Sequence, residues 1–114
     1  MRTKGELKNN LDQFFGTESY YKHLSGMLYT DGVQYLAKNA ECYWLLDEIF
    51  FAKRKEPFQV WTLIVNEQKQ ATLTMKEDRD APILVNKHIP WTTFPLDSID
   101  LWLIDGTLIL PSEY

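Results

Sequence analysis

The sequence contains a single cysteine, Cys42, so no internal disulfide can form. Its apolar segments are short, and none approaches the roughly 20 residues that a membrane-spanning helix needs. Residues 1–8 are polar and lack the apolar stretch of a signal peptide. These absences together predict a cytoplasmic protein that has no disulfides and no membrane segment.

Basic residues are scarce in the second half of the chain. Residues 56–114 contain four Lys or Arg against nine Asp or Glu, and no basic residue follows Lys87. Affinity for phosphate backbones comes mainly from Lys and Arg side chains that neutralise phosphates. The sequence therefore argues against nucleic acid as a partner.

Sequence motifs for cofactors and metals are also missing. The five glycines are isolated from one another, so the chain has no Gly-rich phosphate loop. Residues 78–80 (Asp-Arg-Asp) lack the glycine and the distal glutamate of a calcium loop. Two separated histidines and one cysteine do not have the spacing of zinc ligands. We therefore expect no cofactor and no metal.

Two apolar segments instead dominate a chain of 114 residues, a length typical of one domain. Residues 43–52 are apolar almost throughout, which predicts a helix that is buried on more than one side. After Pro57 the apolar period changes from 3.6 to 2, and residues 58–65 predict a central strand that is apolar on both faces. We expect Trp44 and Trp61, which lie inside these segments, to be buried.

The N-terminal part predicts a short amphipathic helix over residues 4–15, with Gly16 as its C-terminal cap. Residues 20–24 are rich in strand-forming residues and predict a short edge strand. The apolar positions of the helix share one face: Leu7, Leu11, Phe14 and Phe15.

Residues 30–40 are compatible with two local structures. Asp31-Gly32 between apolar residues is a strong hairpin signal, but Thr30 or Asp31 could equally cap a helix. The helix is favoured because four apolar residues follow the helical spacing: Val33, Leu36, Ala37 and Ala40.

The remaining residues predict further strands over 70–76, 83–89, 99–104 and 107–110, and the last two are joined by an Asp-Gly hairpin turn. Helices precede strands, and the two do not alternate along the chain. The prediction is therefore a single α+β domain over residues 1–114, with two or three N-terminal helices packed on a mainly antiparallel four- to five-stranded sheet.

Candidate catalytic side chains are few. Cys42 could pair with His23 or His88, but no Gly-rich nucleophile turn surrounds it, and a lone cysteine is usually a core residue. We therefore predict no catalytic residues. An enzyme would need a pocket in which polar side chains converge, and the candidates are Asp31, Asp47, His23 and His88.

The central strand carries apolar residues on both sides, so the face that the helices leave open needs another cover. The N-terminal helix, the loop of residues 90–98 or a second protomer could supply it. Two aromatic residues of that loop either fold back over the core or remain exposed as anchors. The predicted interaction surface consists of five residues: Trp61, Leu63, Val65, Trp91 and Phe94.

Four segments resemble the recurring features of a family of small uncharacterised bacterial proteins, namely residues 29–33 (YTDGV), 43–47 (YWLLD), 58–61 (FQVW) and 110–114 (LPSEY). The resemblance covers essentially the whole chain and implies an intracellular single-domain protein with no assigned activity. We therefore expect a non-enzymatic interaction or assembly domain that forms a homo-oligomer or binds a protein partner. The alternative is a small enzyme or small-ligand binder with a pocket between the helices and the sheet.

Overall fold

The structure is a computed structural model that describes residues 4–14 and 19–114. Phe15 and Gly16, which the sequence placed at the end of the first helix, lie outside these residues. Among the described helices, none combines the length and apolarity needed to cross a bilayer. The elements over the described residues are helices α1 (Lys4–Leu11), α2 (Asp31–Asn39) and α3 (Tyr43–Phe51), strands β1 (Tyr20–Lys22), β2 (Leu28–Thr30), β3 (Phe58–Val65), β4 (Ala71–Lys76), β5 (Val85–Ile89), β6 (Ser98–Ile104) and β7 (Thr107–Ile109), and a C-terminal 3-10 helix (Pro111–Glu113).

The seven described strands belong to one sheet, in the order β1-β2-β7-β6-β3-β4-β5. Neighbouring strands are antiparallel except β2 and β7, which run parallel with Leu28 opposite Thr107. The predicted α+β class is confirmed, but the sheet is mixed and larger than the predicted four or five strands. A three-residue strand such as β2 shows no apolar period, and its parallel partner lies far along the chain, so no local pattern indicated this pair.

Asp31-Gly32 forms the start of helix α2 and not a hairpin turn, so the favoured prediction is confirmed. Thr30 has extended backbone geometry, and its Oγ1 accepts a hydrogen bond from Val33 N–H at 3.2 Å. This N-cap satisfies one of the donors that the first turn of a helix leaves unpaired.

The hairpin predicted at Asp105-Gly106 is confirmed. The φ angles of these two residues are 49° and 85°, and a type I′ turn needs positive φ at both central residues.

The core lies between the helices and one face of the sheet. Trp61 and Leu63 of β3 are each 1% exposed, and Leu46, Ile49 and Phe50 of α3 are buried in the same cluster. The predicted burial of Trp61 is therefore confirmed.

The prediction for Trp44 was wrong, because this side chain is only half-buried. The buried side of α3 is formed by positions 45, 46, 49 and 50, and Trp44 lies on the flank of that stripe. A helix that is apolar almost all round does not indicate which of its residues will face the sheet.

The opposite face of the sheet, here called the open face, carries partly exposed apolar residues. β3, β6 and β7 place five such residues in neighbouring register: Phe58, Val60, Trp102, Ile104 and Ile109. The fully buried residues of these strands all have the opposite side-chain direction, towards the described helices. Over residues 4–14 and 19–114, the fold is thus a two-layer arrangement in which the three α-helices leave this face of the sheet open.

Truncation of Trp61 and Trp44 to alanine should show that the buried side chain contributes more to stability than the half-buried one. We expect Trp61→Ala to lower the free energy of unfolding by about 3–5 kcal/mol, because it leaves a large cavity in the core. Trp44→Ala should cost about half as much or less, since part of this side chain is already in contact with solvent. Urea unfolding of both variants beside the wild type measures the difference, and equal losses would contradict the burial described above.

Candidate functional site

The structure separates the residues of the predicted interaction surface. Trp61, Leu63 and Phe94 are buried in the core, Val65 is half-buried, and Trp91 is 67% exposed. The predicted surface is therefore corrected at the three buried positions, because the helices cover the face of β3 that carries Trp61 and Leu63. A contact between Trp91 and a partner stays a prediction.

The loop after β5 folds back over the core at Phe94. Thr92 N–H donates a hydrogen bond to Lys69 O at 2.9 Å, and Phe94 N–H donates to Thr92 Oγ1 at 3.1 Å. These bonds fix the loop so that Phe94 is 1% exposed while Trp91, three residues earlier, remains in solvent. Phe94 therefore folds back over the core, and Trp91 remains exposed.

An aromatic cluster of Phe58, Trp102 and Tyr114 lies on the open face, near the start of β3 and the end of β6. The ring centroids are 5.6 Å apart for Phe58 and Trp102, 5.3 Å for Trp102 and Tyr114, and 6.2 Å for Phe58 and Tyr114. Both contacts of Tyr114 are edge-to-face, a geometry that aromatic quadrupoles favour. Tyr114 is nevertheless 78% exposed, so the cluster presents apolar surface to solvent.

The C-terminal 3-10 helix holds Tyr114 in this place through Glu113. Glu113 Oε1 accepts hydrogen bonds from the Thr30 hydroxyl at 2.7 Å and from Leu110 N–H at 2.9 Å. Thr30 is fully buried, so its hydroxyl is satisfied inside the protein by this carboxyl. The start of α2 and the end of the chain are therefore joined directly.

Gly32 allows this close approach. A Cβ atom at Gly32 would lie 2.8 Å from Cδ and Oε1 of Glu113 and 2.8 Å from a methyl carbon of Leu110. Such distances are well inside van der Waals contact. The absence of a side chain at Gly32 is thus what lets the Glu113 carboxyl reach Thr30.

The Glu113 carboxyl lies in an environment that disfavours its charge. Burial raises its pKa above the ordinary value of 4.5, and nearby Asp31 raises the pKa further. The hydrogen bonds from Thr30 and Leu110 act in the opposite direction, because they stabilise the carboxylate. Two segments that the sequence analysis singled out, residues 29–33 and 110–114, therefore form one structural unit.

His23 and Asp47 are the only pair among the candidate catalytic residues that the described structure brings into a direct side-chain hydrogen bond. His23 Nε2 lies 2.7 Å from Asp47 Oδ1, and His23 Nδ1 lies 2.9 Å from Ser25 Oγ. Ser25 N–H also donates to Nδ1 at 2.9 Å, which leaves Nε2 to donate to Asp47. The three residues resemble the Ser-His-Asp constellation of hydrolases.

The backbone around Ser25 is arranged as a turn rather than as a nucleophile site. Ser25 N–H binds the imidazole, Gly26 N–H donates to His23 O at 2.9 Å, and Met27 N–H donates to Ser25 Oγ at 3.3 Å. All three N–H groups are therefore engaged within the turn, whereas acyl transfer needs donors aimed at the developing oxyanion. His23 also packs on Phe50 of α3, with ring centroids 4.5 Å apart, so it joins the β1–β2 hairpin to the helix layer.

The other candidate residues lie apart from this pair. Cys42 is buried, and burial raises the pKa of its thiol to about 12, the opposite of what a nucleophilic thiolate needs. His88 is on the open-face side of β5, opposite Thr72. Asp31 lies beside Glu113. Within the described residues, no group of three His, Cys, Asp or Glu side chains is placed to hold a metal ion.

A cavity of about 430 Å³, here called the α3 cavity, lies between the end of α3 and the sheet. Its polar groups are Asp47, Glu48 and Lys87, and an ion pair between Glu48 Oε2 and Lys87 Nζ joins the helix to β5. The apolar part of the lining comes from five residues: Phe51, Ala52, Trp61, Leu73 and Val85. The volume is within the range of small-molecule sites.

A second cavity, of about 420 Å³, lies between α1 and the beginning of β6. Lys4 Nζ and Asp97 Oδ2 form an ion pair across it at 2.6 Å, and the Lys4 ammonium holds the pKa of the Asp97 carboxyl below its ordinary value. Lys4 and Asp97 are both largely exposed, so this ion pair contributes little to stability.

These features define an α+β protein with an open, aromatic sheet face and a solvent-open cavity beside α3. The chain belongs to a family of unknown function, DUF6876, whose model matches residues 5–114. This confirms the resemblance to an uncharacterised domain family that the sequence indicated. No match was found among curated proteins or among solved structures.

Alanine at Gly32 should test the close contact with Glu113. We expect Gly32→Ala to lower the free energy of unfolding by about 1–3 kcal/mol through overpacking, although alanine favours a helix interior over glycine by about 1 kcal/mol. The cost should fall when the variant is combined with Glu113→Ala, because two of the three close atoms are then removed.

Gly5 of α1 is the matched control for this measurement. A Cβ at Gly5 has nothing within 4 Å, so Gly5→Ala should be neutral or stabilising. Thermal or urea unfolding of Gly32→Ala, Glu113→Ala, the double variant and Gly5→Ala compares their stabilities with that of the wild type. A Gly32→Ala variant as stable as Gly5→Ala would contradict the packing described for the C-terminal segment.

Glu113 should also make stability depend on pH. Because its pKa is raised in the folded protein, the folded state holds the proton more tightly than the unfolded state. This contribution is fully present below about pH 4.5 and is lost as pH rises through the folded pKa. Glu113→Gln keeps an oxygen acceptor for Thr30 and does not titrate, so its melting temperature should gain on the wild type as pH rises from 4 to 7. A difference that is constant over this range would show that Glu113 does not titrate as described.

Proposed function

We propose that this chain is a non-enzymatic interaction domain that assembles with a second copy of itself through the open face of its sheet. The observation that carries the proposal is the aromatic cluster of Phe58, Trp102 and Tyr114, which lies on that face and is partly exposed. Exposed apolar surface that exceeds a few hundred Å² usually marks a contact with a partner.

The distribution of charge on the open face supports association through the aromatic cluster. Val60 lies between Trp102 and Lys76 in register, and Thr62 lies between Asp100 and Thr74. The aromatic cluster is thus uncharged, and Lys76 and Asp100, which have opposite charges, lie beside it on the same face. Two copies of such a face bring apolar groups together and can pair these opposite charges across the contact.

The size of the face is adequate for a dimer. At about 3.3 Å per residue and about 4.8 Å per strand, the described strands cover roughly 550 Å² in projection. The accessible area of a face covered with side chains exceeds its projection. A standard interface buries roughly 600–1,000 Å² on each partner, so the open face reaches the lower part of this range. A twofold arrangement is the simplest, because the same patch then serves both protomers.

The alternative, a small enzyme or a ligand binder with a pocket between the helices and the sheet, is favoured by one observation, the α3 cavity with Asp47 at its rim. A hydrolase built on His23, Ser25 and Asp47 is not favoured, because the N–H groups of that turn are already engaged.

We also propose that the protein is bacterial and cytoplasmic, in accordance with the single cysteine and the family resemblance.

Sedimentation velocity over a range of protein concentrations tests the proposal. The wild type should show a reversible monomer–dimer equilibrium. Trp102→Ser should weaken it by about 30-fold or more, the effect of losing a central aromatic residue worth about 2 kcal/mol. Trp91→Ser tests the separate prediction that this exposed loop residue contacts a partner. If the open face alone mediates association, this variant should leave the dissociation constant unchanged.

Tyr114→Ser provides a variant with less risk to the fold, since this side chain is 78% exposed, and it should weaken association in the same direction. Circular dichroism and melting curves of each variant separate loss of association from loss of folding. A wild type that is monomeric at the highest concentrations, or association that depends on Trp91 rather than Trp102, would overturn the proposal.

A further inference from the structure

The α3 cavity lies on the helix-covered side of the sheet, away from the open face. Its floor includes Trp61 and Leu73, which are 1% and 2% exposed, and Phe51, which is 50% exposed, forms part of its wall. A large aromatic ring that is half in solvent beside a cavity is available to a ligand. The apolar lining suits an apolar body of a few carbon atoms or one ring.

The charges at the cavity favour a cation. Asp47 and Glu48 contribute two carboxylates, and Lys87 contributes one ammonium that is paired with Glu48. Within the described residues, Asp47 Oδ1 lies 2.7 Å from His23 Nε2, and Asp47 contributes its carboxylate charge to the lining. The lining therefore has a formal charge of −1 at neutral pH.

Phe51 strengthens this preference. The face of an aromatic ring attracts a cation by about 0.5–1 kcal/mol at exposed sites. Phe51 lies in the same lining as the two carboxylates, about one helical turn along α3 from both Glu48 and Asp47. A bound ammonium group could thus be shared between a carboxylate and an aromatic ring.

We propose that the α3 cavity binds a small organic cation, an ammonium group on an apolar or aromatic body. The ammonium binds between Asp47 and Glu48, where it competes with Lys87 for the Glu48 carboxylate, and the apolar body lies against Phe51 and Trp61. This site is independent of the proposed self-association, because its residues have the side-chain direction opposite to that of the aromatic cluster. A monomeric protein would bind the cation equally well.

The probe is 2-phenylethylammonium, with 2-phenylethanol as its neutral analogue and 3-phenylpropionate as an anionic one. Each is titrated into the 15N-labelled full chain, and amide shifts are followed for residues 47–52 and 85–87 together with the indole N–H of Trp61. We expect the ammonium to bind about five- to tenfold more tightly than the alcohol, as partly exposed ion pairs allow, and the carboxylate to bind most weakly.

Three variants make the prediction specific because their effects have opposite signs. Glu48→Gln and Asp47→Asn should each weaken binding of the ammonium by about threefold, since each removes a carboxylate. Lys87→Met should strengthen it by about threefold, because it removes the competing cation and leaves Glu48 unpaired. Asp97→Asn, which removes a carboxylate at the other cavity, is the matched control and should change nothing.

Several results would overturn the proposal. These are equal affinity for the ammonium and the alcohol, weaker binding in Lys87→Met, an equal effect of Asp97→Asn, or shifts that are centred on the open face. An absence of shifts at residues 47–52 with millimolar 2-phenylethylammonium would overturn it as well. None of these results bears on the monomer–dimer equilibrium, so the two proposals can fail separately.

Discussion

In the part of the chain that the structure describes, three short α-helices pack on one face of a seven-stranded sheet. The small area that these helices can cover determines the rest of the structure. Helices of eight or nine residues are about 12–14 Å long, whereas β3 alone extends for about 26 Å. They supply enough apolar surface to bury Trp61 and Leu63, but they leave Phe58 and Val60 on the other side partly exposed. The open face is therefore a direct consequence of the proportions of the two layers.

The C-terminal segment connects the two layers. Glu113 accepts a hydrogen bond from Thr30, which caps the helix layer at α2, and the next residue places its ring on the open face against Trp102. The buried hydroxyl of Thr30 and the partly buried carboxyl of Glu113 satisfy each other, so the loss of either group would leave the other unpaired and lower the stability of the fold. The position of Tyr114 on the candidate interface thus depends on polar contacts made at the beginning of α2.

Most polar side chains that could perform chemistry are used to hold the fold together. His23 joins a turn to α3 through Asp47 and Phe50, and Glu113 joins the end of the chain to Thr30. The same geometry that makes His23, Ser25 and Asp47 resemble a catalytic constellation also consumes the donors that catalysis would require. For this reason we propose association through apolar surface and ligand binding in the α3 cavity rather than bond-breaking chemistry.

The sequence by itself determined the elements whose signals are local. The apolar period placed β3 at residues 58–65, the Asp105-Gly106 turn indicated its hairpin, and the spacing from Val33 onwards indicated α2. These features depend on neighbouring residues, so a short window of sequence contains the physical cause. The family resemblance also came from the sequence.

Only the tertiary structure decided which face of β3 is covered, because Trp61 and Val60 are equally apolar and the choice depends on where α3 packs. It also decided the parallel pairing of β2 with β7, the contact of Glu113 with Thr30 and the pair of His23 with Asp47. Each of these joins residues that are distant in the chain. Their partners are selected by the packing of whole elements, for which no local pattern exists.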